Sequence, residues 1–147
     1  MFVPHLPNKP RELRNHTMNI LVVDDEIIYL DLLSEVLTLY GHAVFKATSA
    51  DAALGHLHTQ QIDLIISDVS MPGKNGVSLH TEVREDYRFQ RVPFVWNTAY
   101  VELQELLDLV DPSVDYKVEK SKGLPTLLHI VSRVQASRKI AATAPAA

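Results

Sequence analysis

The chain has 147 residues, 46% of them hydrophobic, which is enough for one domain with a buried core. Its net charge of -4 argues against a nucleic-acid-binding surface, and the absence of cysteine excludes disulfides and thiolate metal sites. No apolar run approaches the roughly 20 residues of a membrane span, and the N-terminus lacks the apolar segment of a signal peptide. We therefore predict a cytoplasmic protein that binds neither nucleic acid directly nor a membrane.

The two ends of the chain differ from its middle in composition. Residues 1–17 contain three prolines and show no apolar periodicity, which predicts a flexible N-terminal extension. The folded domain is predicted over residues 18–140, and residues 141–147 are predicted to form a frayed C-terminal tail.

Short apolar runs alternate with segments of helical periodicity along this domain. Strands are predicted at 19–23, 43–47, 63–67, 92–97 and 114–119. Helices are predicted at 27–40, after a cap at Thr48 or Ser49, at 76–84, at 101–110 and from 124 to about 140. The first helix is predicted to carry an apolar stripe of Ile28, Leu32, Val36 and Leu39, widened by Leu33, Leu37 and Tyr40.

Five strands that alternate with helices predict βαβ units, which join parallel strands through right-handed crossovers. The strands are almost continuously apolar, as expected where helices cover both faces of a sheet. The predicted fold class is therefore α/β, with a doubly wound, five-stranded parallel sheet. In such sheets ligands bind beyond the carboxyl ends of the strands.

Polar residues stand at or just after the carboxyl ends of four predicted strands. Asp24 and Asp25 follow the first strand, Asp68 the third, Thr98 the fourth and Lys120 the fifth. Taken singly, each has a structural interpretation, as a helix cap, a turn residue or a solvated strand-end residue. Because the carboxyl ends of parallel strands share one edge of the sheet, the occurrence of all five there favours a functional site.

The residue types at this edge suit phosphoryl chemistry with a metal ion. Close carboxylates repel one another, and a set of oxygen ligands without histidine or cysteine favours Mg²⁺, with Mn²⁺ as the other candidate. A carboxylate with an unperturbed pKa of about 3.9 is ionised at neutral pH, so Asp68 could attack phosphorus without a general base. Lys120 would supply positive charge to phosphoryl oxygens and Thr98 a hydroxyl donor.

Four segments together resemble the receiver domain of two-component response regulators: VVDDE at 22–26, DVSMPGKNG at 68–76, NTA at 97–99 and EKS at 119–121. The resemblance extends from about Met18 to Arg138 and is of the chemotaxis-receiver type. The combination of VDD with D-x-x-M-P-x-x-x-G is its specific part. It implies a flavodoxin-like (βα)5 fold with strand order 2-1-3-4-5.

The resemblance also implies a role for each residue of the site. Asp68 would accept a phosphoryl group from a phosphohistidine on a histidine kinase or a histidine phosphotransfer protein. Asp25 would bind Mg²⁺ directly, with contributions from Asp24, Asp68 and the backbone carbonyl of Ser70. The protein would then be a signalling phosphoacceptor that takes part in its own phosphorylation and dephosphorylation, and not a metabolic enzyme.

Phosphorylation adds about -1.5 to -2 charges, which would draw Thr98 and Lys120 inward. The resemblance implies that this movement switches the face formed by the fourth strand, the helix at 101–110 and the fifth strand. Output would pass through that face to a downstream protein target, and a homodimer is a further partner predicted for it.

The chain departs from the family pattern close to the proposed switch. The family usually places an aromatic residue three positions before the lysine, where this chain has Lys117, and Tyr116 lies one position earlier. Thr98 and Tyr116 are therefore the candidate switch residues. Asn97, directly before Thr98, is an unusually polar residue for the end of a buried strand.

Two other functions remain open from the sequence. A Mg²⁺-dependent phosphatase or phosphotransferase with an aspartate nucleophile would use similar chemistry, although such enzymes typically carry a second Asp where this chain has Ser70. A degenerate receiver would keep the fold and act as a docking module without phosphorylation. Turnover of a free phosphomonoester would favour the first alternative, and failure to form a phosphoryl adduct would favour the second.

Overall fold

The computed structural model describes residues 17–71, 73, 75–99 and 110–143. Its strands are β1 (Asn19–Val23), β2 (Ala43–Ala47), β3 (Leu64–Ser67), β4 (Phe94–Thr98) and β5 (Asp115–Glu119). Its helices are α1 (Ile27–Leu39), α2 (Ala50–Thr59), α3 (Gly76–Glu85) and α4 (Gly123–Thr143), with a 3₁₀ turn at Lys120–Lys122. Within these ranges, no helix is long and apolar enough to cross a membrane.

The strands form one parallel sheet of five in the order β2-β1-β3-β4-β5. The register places Val23 beside Ser67, and Thr98 beside Glu119. The strands therefore finish together, and we call this side of the sheet the carboxyl edge. The α/β class, the five parallel strands and the predicted strand order are confirmed.

Strand side chains alternate between two faces, and each face packs against its own helices. In β1, Leu21 and Val23 join the core cluster that contains residues of α2 and α3. Ile20 and Val22 join the cluster that contains residues of α1 and α4. All four side chains are buried, which is why these strands are apolar at successive positions. This arrangement confirms the doubly wound sheet.

Helix α1 turns only part of its predicted stripe, Leu33 and Leu37, towards the core. Its buried residues are Leu30, Leu33, Ser34 and Leu37. Ile28, Leu32 and Leu39, which belong to the predicted stripe, are 85%, 47% and 52% exposed. The prediction for these three residues is wrong. Apolar residues occupy most of the circumference of this helix, so their spacing alone does not identify the core side.

Several boundaries shift from the predicted ones by a few residues. Helix α2 is capped by Ser49, whose Oγ accepts a hydrogen bond of 3.1 Å from the Ala52 N–H. Strand β4 begins at Phe94, after a proline that has no N–H to donate, and it runs to Thr98, so Thr98 lies inside the strand. Helix α4 continues to Thr143, three residues beyond the predicted end at 140.

Some predicted features lie outside the described residues. The predicted helix at 101–110 is among them except for Val110, as are residues 1–16 of the predicted extension and residues 144–147 of the predicted tail. The predictions for these segments stay predictions.

Candidate functional site

The carboxyl edge brings the predicted acidic residues together. Asp24 follows β1 and its N–H donates to the Ala47 carbonyl at 3.0 Å, while the N–H of Asp68, after β3, donates to the Val23 carbonyl at 3.0 Å. The sheet hydrogen bonding thus continues one residue past each strand and fixes both backbones. Asp24, Asp25 and Asp68 each offer a carboxylate oxygen, and these three oxygens lie within 4.8 Å of one another.

Lys120 reaches across the sheet to these carboxylates. Its Nζ lies 2.8 Å from Asp24 Oδ2 and 3.2 Å from Asp68 Oδ2, with Glu26 Oε2 farther away at 3.9 Å. The lysine side chain is only 18% exposed. We call Asp24, Asp25, Asp68 and Lys120 the acidic site. Its three carboxylates outnumber its one ammonium group, so the site carries a net negative charge.

The second oxygen of the two buried carboxylates is held by backbone. Asp24 Oδ1 accepts a 2.9 Å hydrogen bond from the Glu26 N–H, and Asp68 Oδ1 accepts a 2.7 Å bond from the Val69 N–H. Each carboxylate is therefore oriented through one oxygen by the chain that follows it and through the other by Lys120.

Burial and crowding shift the ionisation of the site. Burial raises the pKa of Asp24 above its usual value of 3.8, and the neighbouring Asp68 adds to this effect, against the lowering by Lys120 and the Glu26 N–H. Burial acts to lower the pKa of Lys120, but hydrogen bonds and attraction from Asp24 and Asp68 outweigh it and raise that pKa. The lysine thus stays protonated between the two aspartates at neutral pH.

The carboxylates suit a hard divalent cation. Ligand oxygens lie about 2.1 Å from Mg²⁺, so in an octahedral site adjacent ligand oxygens are about 3.0 Å apart and opposite ones about 4.2 Å apart. The oxygens of Asp24, Asp25 and Asp68 lie within 4.8 Å of one another, so they would move closer together to bind one ion. Asp25 is exposed, whereas Asp24 and Asp68 are buried, which leaves the site open to solvent on one side for water ligands.

The turn after Asp68 is held close to this residue by packing and by a glycine. Val69 and Met71 are buried in the core, and the Gly76 N–H donates to the Val69 carbonyl at 2.9 Å. A Cβ atom added at Gly76 would overlap the carbonyl oxygen of Asp68. Glycine is therefore required at the start of α3 by the close approach of these two backbones, and not by an unusual φ angle.

The remaining predicted residues have different surroundings. Thr98 is buried at the end of β4. In the sheet register it lies beside Glu119, the residue directly before Lys120. Ser70 is exposed two residues after Asp68, and its carbonyl stays a predicted metal ligand. Tyr116 is half-buried and packs with the cluster of α1 and α4. By strand alternation the exposed Lys117 points towards the opposite face of the sheet.

Two groups of functional interest were not identified from the sequence. Tyr29, on α1, places its ring under the Lys120 ammonium and bonds to Asn97. The only signal for it was the polar residue at 97, which needs a partner when buried. At the other edge of the sheet, His80, Arg84 and Asp115 form what we call the buried ion cluster. Their spacing along the chain contained no motif that predicts it.

Comparisons with known proteins agree with this fold and site. The family described as the response regulator receiver domain matches residues 20–132. The response regulator protein FleR of Pseudomonas aeruginosa is 33% identical over 115 residues, which cover 78% of this chain and 24% of FleR. The aerobic respiration control protein ArcA of Escherichia coli K12 is 38% identical over 69 residues, 47% of this chain and 29% of ArcA. The chain thus spans about a quarter of the length of FleR.

Solved structures show the same similarity. The response regulator protein TrrA from Thermotoga maritima, in complex with Mg²⁺-BeF, superposes with a TM-score of 0.70 at 30% identity, over 80% of this chain and 99% of that one. The chemotaxis protein CheY4 of Vibrio cholerae superposes with a TM-score of 0.72 at 27% identity, over 80% and 98%. A shared sequence pattern, strand order and acidic edge lead to one conclusion: this chain belongs to the response regulator receiver domain family.

Proposed function

We propose that this receiver domain accepts a phosphoryl group on Asp68 from a phosphohistidine of a histidine kinase or a histidine phosphotransfer protein. The observation that carries the proposal is the position of Lys120, whose ammonium group contacts Asp24 and Asp68 at once. A fixed cation beside an oriented carboxylate is the arrangement that phosphoryl transfer requires, because that reaction depends mainly on positioning and charge neutralisation.

In the proposed step, the free electron pair of an Asp68 carboxylate oxygen forms the new bond to phosphorus. The phosphorus–nitrogen bond of the phosphohistidine breaks, and its electron pair stays on the imidazole, which takes up a proton. The products are an aspartyl phosphate and a neutral histidine. Lys120 neutralises phosphoryl oxygens during the transfer, and the Thr98 hydroxyl donates a hydrogen bond to one of them. Attack of water on the same phosphorus would return the carboxylate and release inorganic phosphate.

The proposal includes a divalent cation at the acidic site. Asp24, Asp25 and Asp68 would hold Mg²⁺, or Mn²⁺, with the Ser70 carbonyl as a fourth ligand. Such a cation, when bound, offsets negative charge on the phosphoryl oxygens. Support comes from the spacing of the carboxylates and from the similarity to TrrA, whose structure is a complex with Mg²⁺-BeF.

We further propose that phosphorylation acts as a switch in the cytoplasm. The added charge would draw the Thr98 hydroxyl and the Lys120 ammonium group towards the phosphoryl group and shift the face that includes β4 and β5. A downstream protein, or a second copy of this chain, would bind that face. Tyr116 packs on the side of the sheet that carries α1 and α4, so as a switch residue it would act on that side and not beside Thr98.

The proposal is tested with acetyl phosphate, which can replace phosphohistidine as donor and releases acetate. The purified chain is incubated with this donor and Mg²⁺ and its intact mass is measured. We expect one phosphoryl adduct on the wild type, none on Asp68→Asn, and strong suppression by EDTA. Asp63→Asn is a matched control, because Asp63 is bound to Arg138 and to the Asn19 N–H at the other edge, away from the acidic site.

The two alternative functions are distinguished by this experiment together with a parallel assay on a free phosphomonoester. A phosphatase or phosphotransferase would turn over a free phosphomonoester repeatedly, which receiver chemistry does not do. A docking module without phosphorylation would show no adduct on the wild type at any Mg²⁺ concentration. The latter result would overturn the proposal.

A further inference from the structure

Asn97 has a specific partner that accounts for a polar residue at a buried strand end. It is 2% exposed, and its Nδ2 donates a 2.5 Å hydrogen bond to the hydroxyl oxygen of Tyr29. These residues are 68 positions apart in the sequence and join β4 to the first turn of α1. A buried amide without a partner costs about 1–3 kcal/mol, so this bond explains why an amide is tolerated there.

The ring of Tyr29 lies against the lysine of the acidic site. Lys120 Nζ stands 4.7 Å from the ring centroid, within the range of a cation–π contact. The same ammonium group faces Asp24 and Asp68. The lysine is therefore confined between two carboxylates and one aromatic face, and the aromatic face is itself held by Asn97.

We propose that Tyr29 is a positioning residue for Lys120, held in place by Asn97, so that this pair sets how readily the acidic site accepts a phosphoryl group. This inference rests on the proposed function of Asp68. A lysine side chain has four rotatable carbon–carbon bonds, and it loses much conformational freedom when it is fixed. The ring reduces that loss during the reaction because it confines the ammonium group beforehand.

The surroundings of Lys120 support a role for the ring beyond filling space. Tyr29 is half-buried, and burial raises the pKa of its hydroxyl, with a smaller lowering by Asn97. The ring thus stays neutral and keeps the orientation set by its hydrogen bond to Asn97. An aliphatic side chain at this position would fill similar space but would offer no negative ring face to the ammonium group.

The test is a double-mutant cycle between residues 29 and 120. The rate of adduct formation with acetyl phosphate and Mg²⁺ is measured for the wild type, Tyr29→Leu, Lys120→Ala and the double variant. We expect Tyr29→Leu to slow the wild type by about 3- to 5-fold, the size of a modest cation–π contact, and to have no further effect once Lys120 is replaced. Equal slowing in both backgrounds would mean that Tyr29 only supports the fold, and would overturn the inference.

Two further variants separate the ring from its hydrogen bond. Tyr29→Phe keeps the ring and loses the bond to Asn97, and Asn97→Val removes the bond from the other side. We expect both to slow adduct formation by less than Tyr29→Leu does, roughly 2-fold or below. Slowing by Tyr29→Phe as large as that by Tyr29→Leu would show that the ring face is not responsible. Thermal unfolding of each variant verifies that the compared proteins are folded.

A spectroscopic measurement tests the contact without phosphoryl chemistry. The methylene group next to Nζ of Lys120 should show an upfield ring-current shift, assigned through the signal that Lys120→Arg removes. We expect the shift to persist in Tyr29→Phe and to vanish in Tyr29→Leu. If the wild type forms no adduct, the proposed function fails, and the role of Tyr29 with it. If wild type and Tyr29→Leu form adducts at equal rates, only the role of Tyr29 is overturned.

Discussion

Two groups of charged residues occupy opposite edges of the sheet and differ in how their charges are matched. In the buried ion cluster, Asp115 accepts from Arg84 Nη2 at 2.6 Å and from the Asp111 N–H at 2.8 Å, and His80 Nε2 lies 3.1 Å away. In the acidic site, three carboxylates share one lysine. One group satisfies its carboxylate completely, while the other leaves negative charge uncompensated.

The pKa values of Asp115 and Asp24 shift in opposite directions, in agreement with how completely the charges of the two groups are matched. Burial acts to raise the pKa of Asp115, but hydrogen bonds from His80, the Asp111 N–H and Arg84 outweigh it and hold that pKa below its usual value. The pKa of Asp24 is raised instead. A fully matched carboxylate thus stabilises the fold, whereas the surplus negative charge of the acidic site suits the divalent cation that we propose for it.

The largest effect is expected from breaking the buried ion cluster. Asp115→Asn leaves the Arg84 guanidinium without its charged partner and should lower the free energy of unfolding by about 3–5 kcal/mol, measured in urea. Asp86→Asn is the matched control, because Asp86 pairs with the exposed Arg88, whose hydrogen bonds lower the pKa of Asp86 to about 2. We expect this control to lose much less stability than Asp115→Asn in the same urea measurement, since solvent screens a surface pair. A comparable loss in both variants would contradict the contrast between buried and exposed pairs.

The next largest effect concerns the glycine that lies against the acidic site. Gly76→Ala would force apart the backbones of α3 and Asp68, because the added Cβ overlaps the Asp68 carbonyl. We expect a loss of about 1–3 kcal/mol in the free energy of unfolding, together with slower adduct formation in the folded protein. Gly55→Ala is the control, since a Cβ there meets no atom within 4 Å. Unchanged adduct formation in Gly76→Ala would show that the position of Asp68 tolerates this displacement.

Removing one negative charge from the acidic site should stabilise the protein, in contrast to the two preceding variants. The raised pKa of Asp24 means that its contribution to stability is present while it is protonated and is lost as pH rises through that pKa. At pH 7 without divalent cations, Asp24→Asn should therefore raise the free energy of unfolding, by on the order of 1 kcal/mol. Mg²⁺ should stabilise the wild type more than this variant. A variant less stable than wild type in EDTA would contradict the surplus of negative charge.

The smallest effect is expected in the pH dependence of the contribution of Asp115 to the free energy of unfolding. Because the pKa of Asp115 is lowered, its stabilising effect is present above the usual value of 3.8 and is lost as pH falls through its folded-state pKa. The stability difference between wild type and Asp115→Asn should therefore be constant near neutral pH and shrink below about pH 4. Urea titrations across that range measure it. A difference that persists unchanged at low pH would show that shape, and not charge, makes Asp115 important.

The residues of the acidic site could be predicted from the sequence, but the side chains that contact them could not. Asp24, Asp68 and Lys120 were predicted together because the ends of parallel strands meet at one edge, whatever the side chains do. Tyr29 was not predicted, since its contact with Lys120 depends on the rotation of α1, which the apolar spacing of that helix does not fix. The polar Asn97 was noticed, but its partner lies 68 residues away.

The sequence by itself determined the α/β class, the parallel sheet, its family and the five polar residues at the carboxyl edge. These follow from local periodicity and from a motif that can be recognised by its spacing along the chain. Tertiary structure alone decided that Tyr29 contacts both Asn97 and Lys120, that α1 buries Leu30 while Ile28, Leu32 and Leu39 stay exposed, and that Asp115 joins His80 and Arg84. Such contacts join distant segments, and they depend on helix rotation and side-chain burial that no local pattern specifies.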